Sequence, residues 1–532
     1  MDQDQQRRWS RRAFVRGAIA GGGLAAGVGT GVLAGCTAAP APVRIPLVDG
    51  RVFVDTSGSE TAVGGKPISW WVQRFGLPLN FVYGPTLTAN IEAFKSVFTR
   101  RYWNGEIRFA AKAEPHPVVL KVVAKTGAGV DAASSFEAQA ALDAGIPPDK
   151  IDVNGNAKDD DFIELAISKK MLMIVDSVAE LHAVAARAGA RRPRVLLRVS
   201  GYYLGAVTDS SIFTAGVWTK FGIPITEIAS IISQLHTLPV DVVGFHTHIG
   251  SQITSVEPYR VVLAKMLELG HQLRQAGHEL EILNIGGGFP VSYLDELAWN
   301  SVLGRIREGY VAAKNGDSSK IYTWENKLTD FIFDKRGAPT GWRGETFYAP
   351  LPKEQLLEKL LTGTVSVNGT ILNAVNALKA AGMPRLLIEP GRSIAAEAGT
   401  TFSQVRFLKT LANGHNVVSL DTNSRFLEGD SLNPHRWRFA KDPHRNDASP
   451  FETFIAGNLC FSGDMLTPLK VPLARKPQIG DILMTSETGA YNTTFSAANT
   501  NSFPRPPRIF IDGDGTVEEL RQRDTYQQIY SL

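Results

Sequence analysis

Residues 107–117 read IRFAAKAEPHP. A short apolar run ends on a lysine, Lys112, and two prolines close the stretch behind it. Taken alone this means little, because a lysine after a strand is commonly a solvated charge. The fold is decided by recurrence. β-Branched or apolar runs stand at 107–111, 129–133, 150–154, 171–175, 194–199, 242–246, 281–285 and 385–389. Stretches between them, such as SFEAQAALDAG (135–145) and SVAELHAVAARAG (177–189), carry apolar residues at helical spacing and end on glycine. Eight strands alternating with helices predict an α/β fold, a (β/α)8 barrel, with functional groups at the C-terminal strand ends.

Those ends carry polar residues. Lys112 follows the first run and Asp131 lies in the second. His248 follows the sixth, Gly286, Gly287 and Gly288 follow the seventh, and EPGR (389–392) closes the eighth. Together they suit pyridoxal 5′-phosphate (PLP). Its aldehyde needs an amine for a Schiff base, which Lys112 supplies. Its phosphate needs close backbone approach, which glycines permit, and barrels place phosphate after strands seven and eight. There Gly286, Gly287, Gly288, Gly391 and Arg392 fall. Glu389 is placed to pair with the pyridine nitrogen, and His248 to lie on the ring face. The pair His246 and His248 also suits a metal-binding barrel. The other strand ends offer no histidine, so no metal is expected and His246 reads as a packed barrel residue.

Length and composition bound the rest. The 532 residues, 44% hydrophobic and 20% charged, exceed one ordinary core and predict two domains. A net charge of +4 without a dense basic stripe argues against a nucleic-acid partner. After residue 396 the text turns to short strands and turns rich in Thr, Asn, Pro and Gly, which predicts a C-terminal antiparallel β domain over 397–532. Residues 37–81 read as a linker with strands joining it, ahead of a barrel over 82–396. Residues 1–36 read as an export signal. Arg11, Arg12, Phe14 and Val15 look like a twin-arginine pattern, and LAGC resembles a lipobox ending on Cys36. The expectation is a lipid-anchored protein on the periplasmic or cell-envelope side. Cys460 is then the single remaining thiol, without a disulfide partner.

The motifs AAKAE, VDAASSFE, TKFGI, HIGSQI, IGGGF, EPGR, CFSGD, ETGAY and FPRP, in this order, resemble the fold-type III PLP decarboxylases. That group contains the diaminopimelate, ornithine and arginine decarboxylases, and the resemblance is strongest to the diaminopimelate enzymes. It implies an alanine-racemase-like barrel and the α-decarboxylation of a small amino acid. Lys112 would carry PLP and His248 would stack on it. Ser251, the three glycines and Tyr491 would hold phosphate, with Asp131 also near the cofactor. Arg392 would serve phosphate or the substrate carboxylate, and Tyr491 the substrate as well. It also implies a homodimer with shared sites, in which Cys460 and Asp464 come from the partner subunit and Cys460 returns a proton to the substrate carbon.

Two departures stand out. Diaminopimelate enzymes read C-E-S-G-D where this chain has Phe461, so meso-diaminopimelate is not the expected substrate. The spacing from GGG to EPGR is about twice the family's, which predicts an insertion at about 292–350, a lid or an interface element. Two alternatives stay open: an amino-acid racemase on the same fold, and a PLP-carrying binding lipoprotein without turnover.

Overall fold

The computed structural model describes residues 43–44, 54–56, 59–202, 214–327, 331–335, 339–342, 347–427, 433–441, 449–492 and 500–531. The twin-arginine stretch and Cys36 lie outside the described residues. Parallel strands β1 (Gly105–Ala110), β2 (Gly129–Ala132), β3 (Ile151–Val153) and β4 (Leu172–Val175) continue into β5 (Arg194–Ser200) and β6 (Asp241–His246). Strands β7 (Ile282–Asn284) and β8 (Arg385–Ile388) complete the set, and β8 pairs with β1, setting Ile388 opposite Ile107. The sheet closes as the expected eight-stranded barrel.

Local chemistry starts its helices close behind the strands. After β2 the Ser134 hydroxyl accepts from the Glu137 N–H, while the Glu137 carboxylate accepts from the Ala133 N–H. Ser177 and Glu180 repeat the device after β4, with Glu180 accepting from the Asp176 N–H. Each cap satisfies amides that a helix start leaves open, and losing such a cap costs about 1 kcal/mol.

A second sheet is built on β9 (Gly399–Thr410). One end of β9 lies antiparallel to Leu79–Tyr83 and to β12 (Ile482–Ser486). Its other end pairs with β10 (Asn416–Leu420), which pairs in turn with β11 (Phe451–Ala456). Strand β13 (Arg508–Ile511) runs parallel to Leu79–Tyr83 and antiparallel to β14 (Thr516–Arg521). The β9–β10 register shifts between Val405 and Phe407, and a bulge of this kind bends its strand. Phe402 accordingly packs in a core with Trp71, Phe81 and Ile509, while Val405 packs in another with Val418, Trp437 and Ile455.

The long segment between β7 and β8 holds a helix, Glu296–Lys314, and an antiparallel hairpin, Phe331–Phe333 with Pro339–Trp342. Trp299, Ile306 and Tyr322 pack into the barrel's core cluster, and the segment also reaches the chain's own β domain. Thr323 bridges Leu469, and the Trp324 N–H donates to the Pro468 carbonyl at 2.8 Å. Arg305 pairs with Glu452, and the Trp324 and Phe454 rings meet edge-on at 5.2 Å.

Candidate active site

Lys112 lies in the single turn Ala111–Ala113 directly behind β1, so the strand fixes where its amine emerges. The β domain grips this turn from the far side. The Tyr491 N–H donates to the Ala113 carbonyl at 3.0 Å, and Glu114 pairs with Arg508 of β13. Burial pulls the Lys112 ammonium pKa down, but Tyr491, Asp131 and Glu389 outweigh it and leave it above the ordinary value.

A cavity of about 540 Å³ opens at this end of the barrel, lined by Lys112, Asp131, Arg198, His248 and Glu389 among others. Asp131 accepts from the Asn154 amide at 2.9 Å, and burial, reinforced by the charge of Glu389, pushes its pKa up to about 6. Burial also raises the Glu389 pKa, against the pull of Lys112, Arg198 and a hydrogen bond from Asn284. His248 Nδ1 accepts from the Gly287 N–H at 3.0 Å. Burial and the nearby Lys112 hold His248 well below its usual range, so the ring is neutral and its one proton sits on Nε2. His246, fully buried, is likewise neutral. Its Nε2 lies 3.1 Å from Glu389 Oε1 but out of line for a hydrogen bond, so the pair is a close approach and no ion pair.

Arg392 Nη1 donates to the Tyr293 hydroxyl at 3.1 Å and Nε to Ser251 Oγ at 3.4 Å, with the guanidinium 4.9 Å from the Tyr491 ring. A Cβ on Gly391 would stand 3.1 Å from the Tyr491 hydroxyl. Ser251, Gly391, Arg392 and Tyr491 thus form one group.

The three glycines depart from the expected phosphate cradle in one respect. The Gly286 N–H is taken by Asn284 Oδ1 at 2.9 Å and the Gly287 N–H by His248 Nδ1. Those two amides orient neighbouring side chains and are not turned to a ligand. The glycines are needed for space: a Cβ on Gly287 would meet the Glu389 carbonyl at 2.3 Å, and Gly288 adopts φ +92°.

Arg198 is a functional candidate that the sequence reading missed. It is buried within β5, donates to Asp176 at 3.2 Å, stacks 4.2 Å from the Phe221 ring and lines the cavity. A charge inside RVLLRV, and likewise Asp152 inside KIDVN, was the available signal.

The CFSGD segment lies elsewhere. Cys460 is exposed and Phe461 is 54% exposed, and neither lines the cavity of its own chain. Asp464 is buried, with Oδ1 accepting from the Ser424 N–H at 2.7 Å and Oδ2 from the Leu459 N–H at 2.8 Å. Its carboxylate, expected at the substrate, here shapes the loop that presents Cys460.

An amine, a buried acid, a neutral histidine and an arginine–tyrosine–serine group at one barrel mouth fit PLP. Lys112 would hold the aldehyde, Glu389 the ring nitrogen, and Ser251, Arg392 and Tyr491 the phosphate.

Comparison with known proteins agrees on the cofactor. Residues 86–322 match the family model of the pyridoxal-binding domain of pyridoxal-dependent decarboxylases. That match and the relatives below support a PLP-dependent amino-acid decarboxylase. Similar proteins include the diaminopimelate decarboxylase of Aquifex aeolicus, 26% identical over 90% of this chain and 96% of that protein. That of Pseudomonas aeruginosa is 28% identical over 89% and 96%. The crystal structure of the M. jannaschii diaminopimelate decarboxylase with L-lysine superimposes with a TM-score of 0.70. It is 22% identical and covers 91% of this chain and 98% of that one, so it speaks to the fold.

Proposed function

We propose that the protein removes the α-carboxylate of an amino acid other than meso-diaminopimelate, acting as a homodimer in which each subunit's Cys460 serves the other's cavity. The observation that carries this reading is the convergence of Lys112, Asp131, His248 and Glu389 on one cavity at the barrel mouth. Bound PLP supplies a sink for the electron pair left when CO2 departs. Lys112 anchors it covalently and Glu389 keeps a proton at the ring nitrogen, which a racemase-type arginine, unable to release one, would not do. His248, neutral and pinned by Gly287, presents an uncharged face to the ring. The Cys460 thiol returns a proton to the substrate carbon, a role its exposure on the β domain suits only across an interface.

Phe461 supports the substrate reading. An ammonium buried against a phenyl ring without a counter-charge loses several kcal/mol. The test is a screen of L- and D-amino acids for CO2 release, with chiral analysis of what remains. Isomerised amino acid without CO2 points to a racemase, and binding with neither product points to a carrier. Efficient turnover of meso-diaminopimelate, unchanged in Phe461→Ala, sinks the substrate proposal, and gain of that activity in Phe461→Glu supports it.

We also propose export by the twin-arginine route and lipid attachment at Cys36, on the sequence pattern alone. Detergent-phase partitioning of the parent but not of Cys36→Ala is the expected result.

A further inference from the structure

We propose that Asn284 is a positioning residue that registers the two ends of the PLP site against each other. The proposal rests on the reading of Glu389 as the acid at the pyridine nitrogen.

Asn284 ends β7 and is fully buried. Its Oδ1 accepts from the Gly286 N–H at 2.9 Å. A backbone N–H can only donate, so this bond settles which way the carboxamide faces. Nδ2 must then donate on the opposite side. It donates to Glu389 Oε1 at 2.7 Å and to Asp152 Oδ2 at 3.3 Å. Asp152 is held in turn by Arg108 Nε at 3.0 Å, and Arg108 Nη1 donates to Glu106 at 2.8 Å. One side chain therefore ties the first glycine of the loop at the phosphate end to the acid at the nitrogen end. Glu389 lines the cavity while Oε1 stays bound to Asn284, which leaves its second oxygen as the one to serve the ring nitrogen.

The surroundings explain why an amide, and no acid, stands here. Glu389 feels Lys112 and Arg108 from the β1 side and Arg198 from β5 as attractive charges. Asp131 on β2 and Asp152 on β3 repel it, and the neutral His246 of β6 lies 3.1 Å away. Arg198 is shared with Asp176, just behind β4. A third carboxylate between Asp152 and Glu389 would face two negative charges in a dry site. A neutral donor satisfies both acids, and its removal strands a buried amide and a carboxylate oxygen.

The experiment titrates cofactor-free protein with PLP, reading affinity from protein fluorescence and the bound cofactor from its absorption spectrum across pH. In Asn284→Asp the introduced carboxyl, when protonated, can still accept from Gly286 and donate to Glu389. PLP affinity should be close to the parent's at about pH 6 and at least about tenfold weaker at about pH 8.5, as that carboxyl ionises. Asn284→Leu should lose about tenfold at both pH values. An Asn284→Asp protein whose affinity follows the parent's at both pH values overturns the proposal, even if Asn284→Leu does not fold. Glu389→Gln separates the two readings. If it leaves the cofactor's spectrum and its pH dependence unchanged, the assignment of Glu389 fails, and the role of Asn284 with it. If Glu389→Gln alters them while Asn284→Asp is indifferent to pH, only the role of Asn284 fails.

Discussion

The barrel mouth and the Cys460 loop are opposite kinds of site. At the mouth, charged groups are crowded and dry: burial raises Asp131 and Glu389 and neutralises both histidines, and each group answers to several others. At the loop the thiol stands in solvent, and Asp464, the acid of the same motif, is spent on two backbone amides. The contrast teaches that the two regions do different work. The mouth gathers its charged groups from one chain: Lys112, Asp131, Arg198 and Glu389 all line the same cavity. The loop, on the proposed reading, acts only when a partner surface encloses it.

The sharpest way to break this comparison is to remove the amine. Lys112→Ala should lower turnover on the order of 10⁴-fold and abolish the borohydride-reducible chromophore, while the fold survives. A reducible chromophore that persists in the variant would transfer the covalent role to another residue. Mixing subunits tests the other half. Lys112→Ala and Cys460→Ala homodimers should both be nearly inactive. Random reassortment makes about half of all dimers mixed, each with one intact site of two, so roughly one quarter of parent activity should return. No recovery after verified subunit exchange would place Cys460 outside the partner's site.

The same division explains what could be read from the sequence. All eight barrel strands were visible because parallel strands covered on both faces are short apolar runs, and the polar residues ending them stood out. Lys112, Glu389 and EPGR were therefore legible. Asn284 was not, because an asparagine before three glycines looks like turn chemistry until Glu389 and Asp152 are brought beside it from β8 and β3. The two committed glycine amides were hidden for the same reason, since their acceptors belong to other side chains. In the loop the motif showed residue types, but nothing in CFSGD says that its aspartate bonds to Ser424, 40 positions earlier. Long-range partners of polar groups carry no periodicity, so the sequence holds no trace of them.

A smaller effect sharpens the comparison at the loop. Asp464→Ala leaves the buried Leu459 amide and the half-buried Ser424 amide without acceptors, at about 1–3 kcal/mol for the buried one and less for the other. The expected result is a lower melting temperature and about tenfold slower turnover, with PLP affinity and spectrum unchanged. Cys460→Ala, by contrast, should leave the melting temperature where it was. Loss of PLP binding in Asp464→Ala would mean that the loop and the mouth are not separate devices.

The smallest expected effect lies at Asp131, and its sign follows from proton binding. Its folded pKa, about 6, lies above the ordinary carboxylate value of 3.8. Between those values the folded protein holds a proton that the unfolded chain has released. The contribution of Asp131 to stability therefore falls as pH rises through this window, and its full cost is carried above about pH 6. Asp152, pushed up to about 7, acts in the same direction. Melting curves of the cofactor-free protein between about pH 4 and 7 should show this component. In Asp131→Asn, which keeps a polar partner for Asn154, the decline should be shallower by on the order of 1–3 kcal/mol across the window. Asp152 prevents it from vanishing. Parallel curves for parent and variant would mean that Asp131 is already ionised and compensated in the empty site. The crowding that sets the mouth apart from the loop would then be a matter of packing and not of charge.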